Sequence, residues 1–226
     1  TYLDAGDVAE SEGASAIGLH SRTASELYSG SADWDAITKL KQRVQIPVLG
    51  NGDIWECWDA LRMMRETGCD GVIVGRGCLG RPWLFRELAE VFDGQEAAAP
   101  PKLGEVVEVA LRHAQGLADF FEEGPAMKQM RKWLGWYTKG FKGAAALRGS
   151  LSTVESLDEL RSHLYSLPLQ EPFPMRALRM GRAKRGGKQR VKLPEGYLDD
   201  LSDDTPPRGP RTLKEIEAWE RAHSGG

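Results

Sequence analysis

No stretch of this chain runs eighteen or so residues without a polar interruption, so nothing in it has the length and character of a membrane span. The opening Thr1-Tyr2-Leu3-Asp4 lacks both the basic start and the apolar run of a secretory leader, so secretion is not expected and a cytoplasmic location is. Cysteine is scarce. Cys57, Cys69 and Cys78 show neither CxxC nor Cys/His ligand spacing, which predicts reduced thiols and no metal site. Strong net charge is also lacking, at -3 over 226 residues, a length that allows one large domain or two modest ones with a substantial core. The average hides a segregation, however. Arg176, Arg179, Arg182, Lys184, Arg185, Lys188, Arg190 and Lys192 follow one another without an acidic residue, and Glu195 to Asp204 then contributes five carboxylates. With too few apolar residues to offset the entropy of ordering, this stretch is expected to be disordered.

The first part alternates short apolar runs with amphipathic ones, the pattern of a parallel sheet built from βα units. Strands are predicted at Ala16 to His20, Pro47 to Asn51 and Gly71 to Gly75, with helices near 2–13, 34–44, 56–67 and 82–92. Trp34, Ile37, Leu40 and Val44 form one apolar stripe on the second helix. The strands are apolar on both sides, which predicts burial of both faces, between a barrel interior and an outer helix layer. Residues 93–101, rich in Gly, Ala and Pro, read as a linker.

Beyond the linker the pattern is helical. Leu103, Val106, Val107, Ala110, Leu111, Ala114, Leu117, Ala118 and Phe121 recur at helical spacing, and Gly124-Pro125 is expected to end that helix. Between Pro125 and Phe141 a second helix places Met127, Met130, Leu134, Tyr137 and Phe141 on one face, with Lys128, Arg131, Lys132, Lys139 and Lys142 opposite. A third, opened by a Ser152-x-x-Glu155 capping box, carries Leu157, Leu160, Leu164 and Leu167 inward. The three make a small bundle.

Polar residues interrupt the strands at their C-terminal ends: His20-Ser21-Arg22-Thr23, Asn51-Gly52-Asp53 and Gly75-Arg76-Gly77. Enzymes built of βα units keep their chemistry there, and the last two loops of a (β/α)8 barrel frequently bind phosphate. Gly75-Arg76-Gly77 and Gly80-Arg81-Pro82 suit backbone amides that cradle an anion, and Asn51-Gly52-Asp53 forms the loop of the preceding strand. Glycines also serve plain tight turns, and Asn51 and Asp53 would serve equally as turn or cap residues. His20 is placed to hydrogen-bond a planar heterocycle or an anion, and equally as a structural histidine.

The series His20-Ser21-Arg22-Thr23, Tyr28 to Trp34, Ile46 to Ile54, Thr67 to Gly77 and Arg81-Pro82-Trp83-Leu84-Phe85 resembles the tRNA-dihydrouridine synthases, in order and spacing. Met130-Arg131-Lys132 with Trp136 to Gly140 resembles the helical domain of the same family, so the resemblance covers roughly residues 1–165. It implies an FMN-containing (β/α)8 TIM barrel that reduces uridine in tRNA to dihydrouridine with NADPH as reductant, in an enzyme that is a monomer when complete. Carried over, Asn51, Gly52, Asp53, Gly75 and Arg76 would bind the flavin near its phosphate and ribityl chain, and His20 near its ring. Arg22 would face the substrate, and Lys128, Arg131, Lys132 and Lys139 would meet tRNA phosphates unless they form only a solvated face.

One departure shapes the expectation. The family's proton donor is a cysteine in an Asn-x-Gly-Cys-Pro type motif of the first half of the barrel, and neither that motif nor the flavin-facing lysine of an earlier strand occurs here. The expectation is therefore an α/β chain carrying the last three strands of a partial barrel (1–92), a linker (93–101), a helical tRNA-binding domain (102–170) and a disordered charged tail (171–226). Such a C-terminal portion would be inactive by itself. Two rivals stay open, another phosphate-binding flavin barrel oxidoreductase and a non-catalytic RNA-binding fragment.

Overall fold

The computed structural model describes residues 1–23, 26 and 30–180. Tyr28 and Ser29, the acidic segment and the basic run beyond Arg179 lie outside the described residues. Three parallel strands, β1 (Ile17–His20), β2 (Val48–Asn51) and β3 (Gly71–Ile73), lie in that order, with His20 opposite Asn51 and Asn51 opposite Ile73. Parallel neighbours require crossover connections. Helices supply them: α2 (Trp34–Arg43) between β1 and β2, and α3 (Cys57–Thr67) between β2 and β3, with α1 (Tyr2–Ser11) before β1 and α4 (Leu84–Phe92) after β3.

The expectation of strands buried on both faces holds for one face. Val48 packs under Ile37 and Leu40 of α2 and Ala60 and Met63 of α3, all essentially without solvent contact. On the other face Gly18, His20 and Ile73 are exposed among the described residues, Ile73 by 43%. A sheet whose apolar side chains reach solvent on one face leaves hydrophobic area without a partner layer.

After α4, four further helices pack together: α5 (Leu103–Phe121), α6 (Glu123–Tyr137), the short α7 (Arg148–Leu151) and α8 (Leu157–Tyr165). Val106, Ala110 and Ala114 of α5 share a core with Met127, Met130 and Leu134 of α6 and Leu160 and Leu164 of α8. Helix ends differ from expectation for local reasons. Gly124-Pro125 does not end α5; Glu122, at φ 69, does, and the proline sits in the first turn of α6, where its missing N–H costs no bond. Helix α6 stops at Tyr137 and not at Phe141, and Gly140 turns the chain with φ 86. The start of α8 is Ser156, whose side chain accepts from the Glu159 amide while the Glu159 carboxylate accepts from the Glu155 amide, four residues on from the expected box.

Residues 171–180, expected to open the disordered tail, are hydrogen-bonded and packed. The Leu103 amide donates to Glu171 O, Ala177 and Leu178 are buried, and Arg179 reaches Glu56 (2.6 Å) and Asp59 (2.9 Å) at the start of α3. Five apolar residues within this decade, Phe173, Met175, Ala177, Leu178 and Met180, outweigh the charge of the run as a whole. Phe173 lies edge-on to both Trp83 (5.9 Å) and Phe141 (5.6 Å), between the α4 start and the helices. Beneath it the buried Arg81 donates to Trp55 O (2.8 Å) and faces Glu87 (3.4 Å). Burial depresses the arginine's pKa and raises that of Glu87, so each partner is costly without the other.

The tightest approach at this joint is at Gly80, whose φ is +68 and where a Cβ would lie 2.5 Å from the Trp136 carbonyl carbon. No described helix is long and apolar enough to cross a membrane. Gly80→Ala should cost about 2 kcal/mol or more, combining left-handed strain with overpacking. Gly94→Ala, with φ +75 and open space around it, should cost about 1 kcal/mol from strain alone. Denaturant midpoints measure both, and equal losses would mean that the joint is looser than its contacts indicate.

Candidate functional site

The C-terminal ends of the three strands converge on one loop cluster. Ser21 extends the pairing past β1, its amide and hydroxyl both donating to Asn51 O (3.1 and 2.9 Å). The Asn51 side chain sits between strands: its Oδ1 meets His20 Nδ1, and its Nδ2 donates to Ile73 O (2.6 Å). The next two residues are held as firmly. Trp34 Nε1 donates to Gly52 O (3.0 Å), and Asp53, in the left-handed region at φ 54, accepts from Arg22 (2.7 Å) and from the Ala32 amide (2.7 Å). Such a conformation in a non-glycine residue persists only where its surroundings over-determine it.

The third loop leans on the second. A Cβ on Gly77 would lie 2.0 Å from Ile54 O, so only glycine allows the two backbones this distance. Residues 76–78 form a single 3₁₀ turn with the Arg76 guanidinium 5.7 Å from the Trp55 ring centre. Trp55 is itself fixed by the buried Asp59, which accepts from the Trp55 and Glu56 amides (both 3.0 Å).

Together these loops enclose a cavity of about 210 Å³ lined by His20, Asn51, Gly52, Asp53, Gly75 and Arg76, with Ile54, Trp55, Ile73 and Gly77. All six residues expected to meet a flavin are thus in one place. A wider cleft of about 690 Å³ adjoins it, sharing Asp53, Trp55 and Arg76 and adding Trp34, Arg62 and Arg179. Burial by itself would raise the Asp53 pKa, but the Arg22 hydrogen bond, the Ala32 amide and the charges of Arg22 and Arg76 outweigh it and hold the carboxyl below its usual value. The carboxylate at the junction of the loops is thereby kept ionised.

Residues 1–171 match the family described as dihydrouridine synthase (Dus). The chain belongs to that family. A Mycobacterium tuberculosis (strain ATCC 25618 / H37Rv) protein named probable tRNA-dihydrouridine synthase is 51% identical over 210 residues, covering 92% of this chain and 54% of its own length. A Rickettsia conorii protein of the same name is 36% identical over 147 residues (65% of this chain, 44% of its own), and tRNA-dihydrouridine synthase B of Xanthomonas axonopodis pv. citri is 37% identical over 151 residues (67% and 46%). The chain thus spans about half the length of the curated relatives it matches.

Within this dihydrouridine synthase chain, Arg22, expected on the substrate side, lines the wider cleft. Its side chain is 2% exposed, and its guanidinium donates to the Asp53 carboxylate and to Gly30 O (3.1 Å). The expected basic helix face also divides. Lys132 and Lys139 border one groove, Lys128 is exposed outside it, and Arg131 turns to donate to Val154 O (3.0 Å) and Thr153 O (3.2 Å), pinning the loop before α8. Ser21, Trp34 and Asp59 are anchoring residues that sequence reasoning missed. Trp34, read as part of an apolar stripe, had its signal in the indole N–H, which a partly buried tryptophan satisfies.

Arg22→Ala should cost about 3 kcal/mol, since it leaves a largely buried carboxylate without its partner. The Asp53 pKa is lowered on folding, so its contribution is present above the unfolded value of about 3.9 and is lost as pH falls through the folded one. Asp53→Asn should therefore be less stable than wild type at neutral pH, with the two stabilities converging below about pH 4. Stability against pH by chemical denaturation reads this, and a gap that stays constant into acid would exclude the ion pair as its origin.

Proposed function

We propose that this chain is the part of an FMN-dependent tRNA-dihydrouridine synthase that holds the phosphate end of the flavin and carries helices for the RNA. The observation that supports this most is the single cavity uniting the loops after β2 and β3, with Arg76 and the glycine backbone at its wall. The fit to the cofactor is partial in an informative way. Small-molecule sites run to about 300 to 1,000 Å³, and a cavity of about 210 Å³ suits a phosphate and part of a ribityl chain, not a whole flavin mononucleotide. The exposed sheet face beside it, with His20 and Ile73, is where the ring and the remaining barrel strands would lie.

When bound and reduced by NADPH, FMN supplies the hydride that saturates the uracil ring. This chain's residues do the holding. Arg76 and the amides of the turn at 75–77 would balance the phosphate charge, Asn51 would fix the polar chain, and the Arg22–Asp53 pair would hold the chain after β1 against the loop after β2. None of the thiols is disposed as a proton donor to the cavity. Cys57 and Cys69 are buried on the helix side of the sheet, burial pushing the Cys57 thiol up, and Cys78 Sγ donates to Gly75 O. The proton donor and the other wall would come from residues outside this chain. A different flavin barrel would explain the loops, but not the helices that come after them within the same family match.

Two measurements test the proposal. Purified by itself, the chain should hold well under one equivalent of FMN by visible absorbance and form no dihydrouridine in tRNA with NADPH. Both should appear when the first half of the barrel is supplied. Stoichiometric flavin with turnover from the chain alone would contradict this division of the site.

A further inference from the structure

Among the described residues, the least balanced charge lies away from the loops after β2 and β3. Arg43, Arg62, Arg86, Arg161 and Arg179 each sit within 4 Å of a carboxylate. Around Trp136 the pattern changes. A groove of about 770 Å³ is lined by Lys132, Lys139, Arg148 and Arg176, and no described residue of its lining is acidic. Lys132, Arg148 and Arg176 form no ion pair among the described residues. Cations gathered along a groove without an acidic lining repel one another, an arrangement that a bound polyanion relieves.

The groove has an aromatic floor as well. Trp136 is partly exposed, standing edge-on to Trp133 at 5.0 Å, with Lys132 Nζ 5.4 Å from its ring centre. A base stacks on such a ring whatever its identity, and cations on either side take the flanking phosphates. Residues beyond the family-matched 1–171 also line the groove: Arg176, which donates to Gly140 O (3.4 Å), and Met180. The 92% coverage of the mycobacterial relative must include this segment, because no contiguous match of that extent can avoid residues 172–180.

We propose that this groove binds a nucleotide of the RNA, with its base on Trp136 and its phosphates against Arg148, Arg176 and Lys139, which extends the RNA reading of the helices to residues 172–180. The proposal rests on tRNA being the substrate, and its test separates the two. Binding of transcribed tRNA is measured against salt for the protein and its variants, each checked for a native thermal midpoint. Arg148→Ala with Arg176→Ala should lower the slope of log K against log salt by about two units, one for each phosphate that is no longer neutralised. Trp136→Ala should weaken binding by about tenfold with the slope unchanged, and Trp136→Phe should restore most of it. If Lys128→Ala weakens binding while the arginine pair does not, RNA binds the helices elsewhere and the groove assignment is overturned. Wild-type protein that binds no tRNA would overturn the substrate reading along with it. Because the arginines are exposed, their replacement reads binding even if the Trp136→Ala chain fails to fold.

Discussion

Asp53 holds the site together. Its carboxylate is the meeting point of three segments: Arg22 after β1, the Ala32 amide before α2, and its own left-handed turn after β2. A short loop rich in glycine loses much conformational freedom when it is fixed, and an anion cradle works only if that loss is met before the ligand arrives. Here the buried ion pair and the hydrogen bonds around it meet that loss. The Gly52 carbonyl and Ile54, against whose carbonyl the Gly77 backbone packs, flank Asp53 in the chain, while Asn51 is held between strands by His20 and Ile73.

A second constraint links the loops to the helices. Arg81 reads the Trp55 carbonyl on one side and lies 5.9 Å from the Phe173 ring centre on the other, while Arg179 takes the Asp59 carboxylate whose second oxygen holds the Trp55 amide. Trp55 borders the cavity, so the segment 171–180 bears on the strand-end loops through one intermediate residue on each path. The same segment supplies Arg176 to the groove at Trp136. The strand-end loops and the basic groove are thus mechanically joined in a chain whose two hydrophobic cores are otherwise distinct.

The strands and loops were legible because apolar runs of four or five residues broken by Asn-Gly-Asp or Gly-Arg-Gly leave little room for another reading. Long-range pairing was not. Nothing in the local pattern tells that Arg22 will be buried against a carboxylate 31 residues away, so it reads only as a substrate-side group. Gly124-Pro125 misled because proline stops a helix from within but is tolerated in its first turn. Lys139 left the helix face when α6 ended two residues earlier, and Arg131 was drawn aside by two carbonyls of a loop that only the tertiary fold brings near. The packing of Phe173 and Leu178 escaped a reading of composition that averaged them with the charged and polar residues around them.

The loops after β2 and β3 are proposed to recognise the phosphate of FMN. Comparing FMN with riboflavin, which lacks only that phosphate, isolates it. In the complete enzyme, Arg76→Ala should weaken FMN binding by about tenfold or more, the worth of a hydrogen bond to a charged group, and leave riboflavin affinity unchanged. Equal losses for the two flavins would contradict the assignment and place Arg76 in the general stability of the cleft.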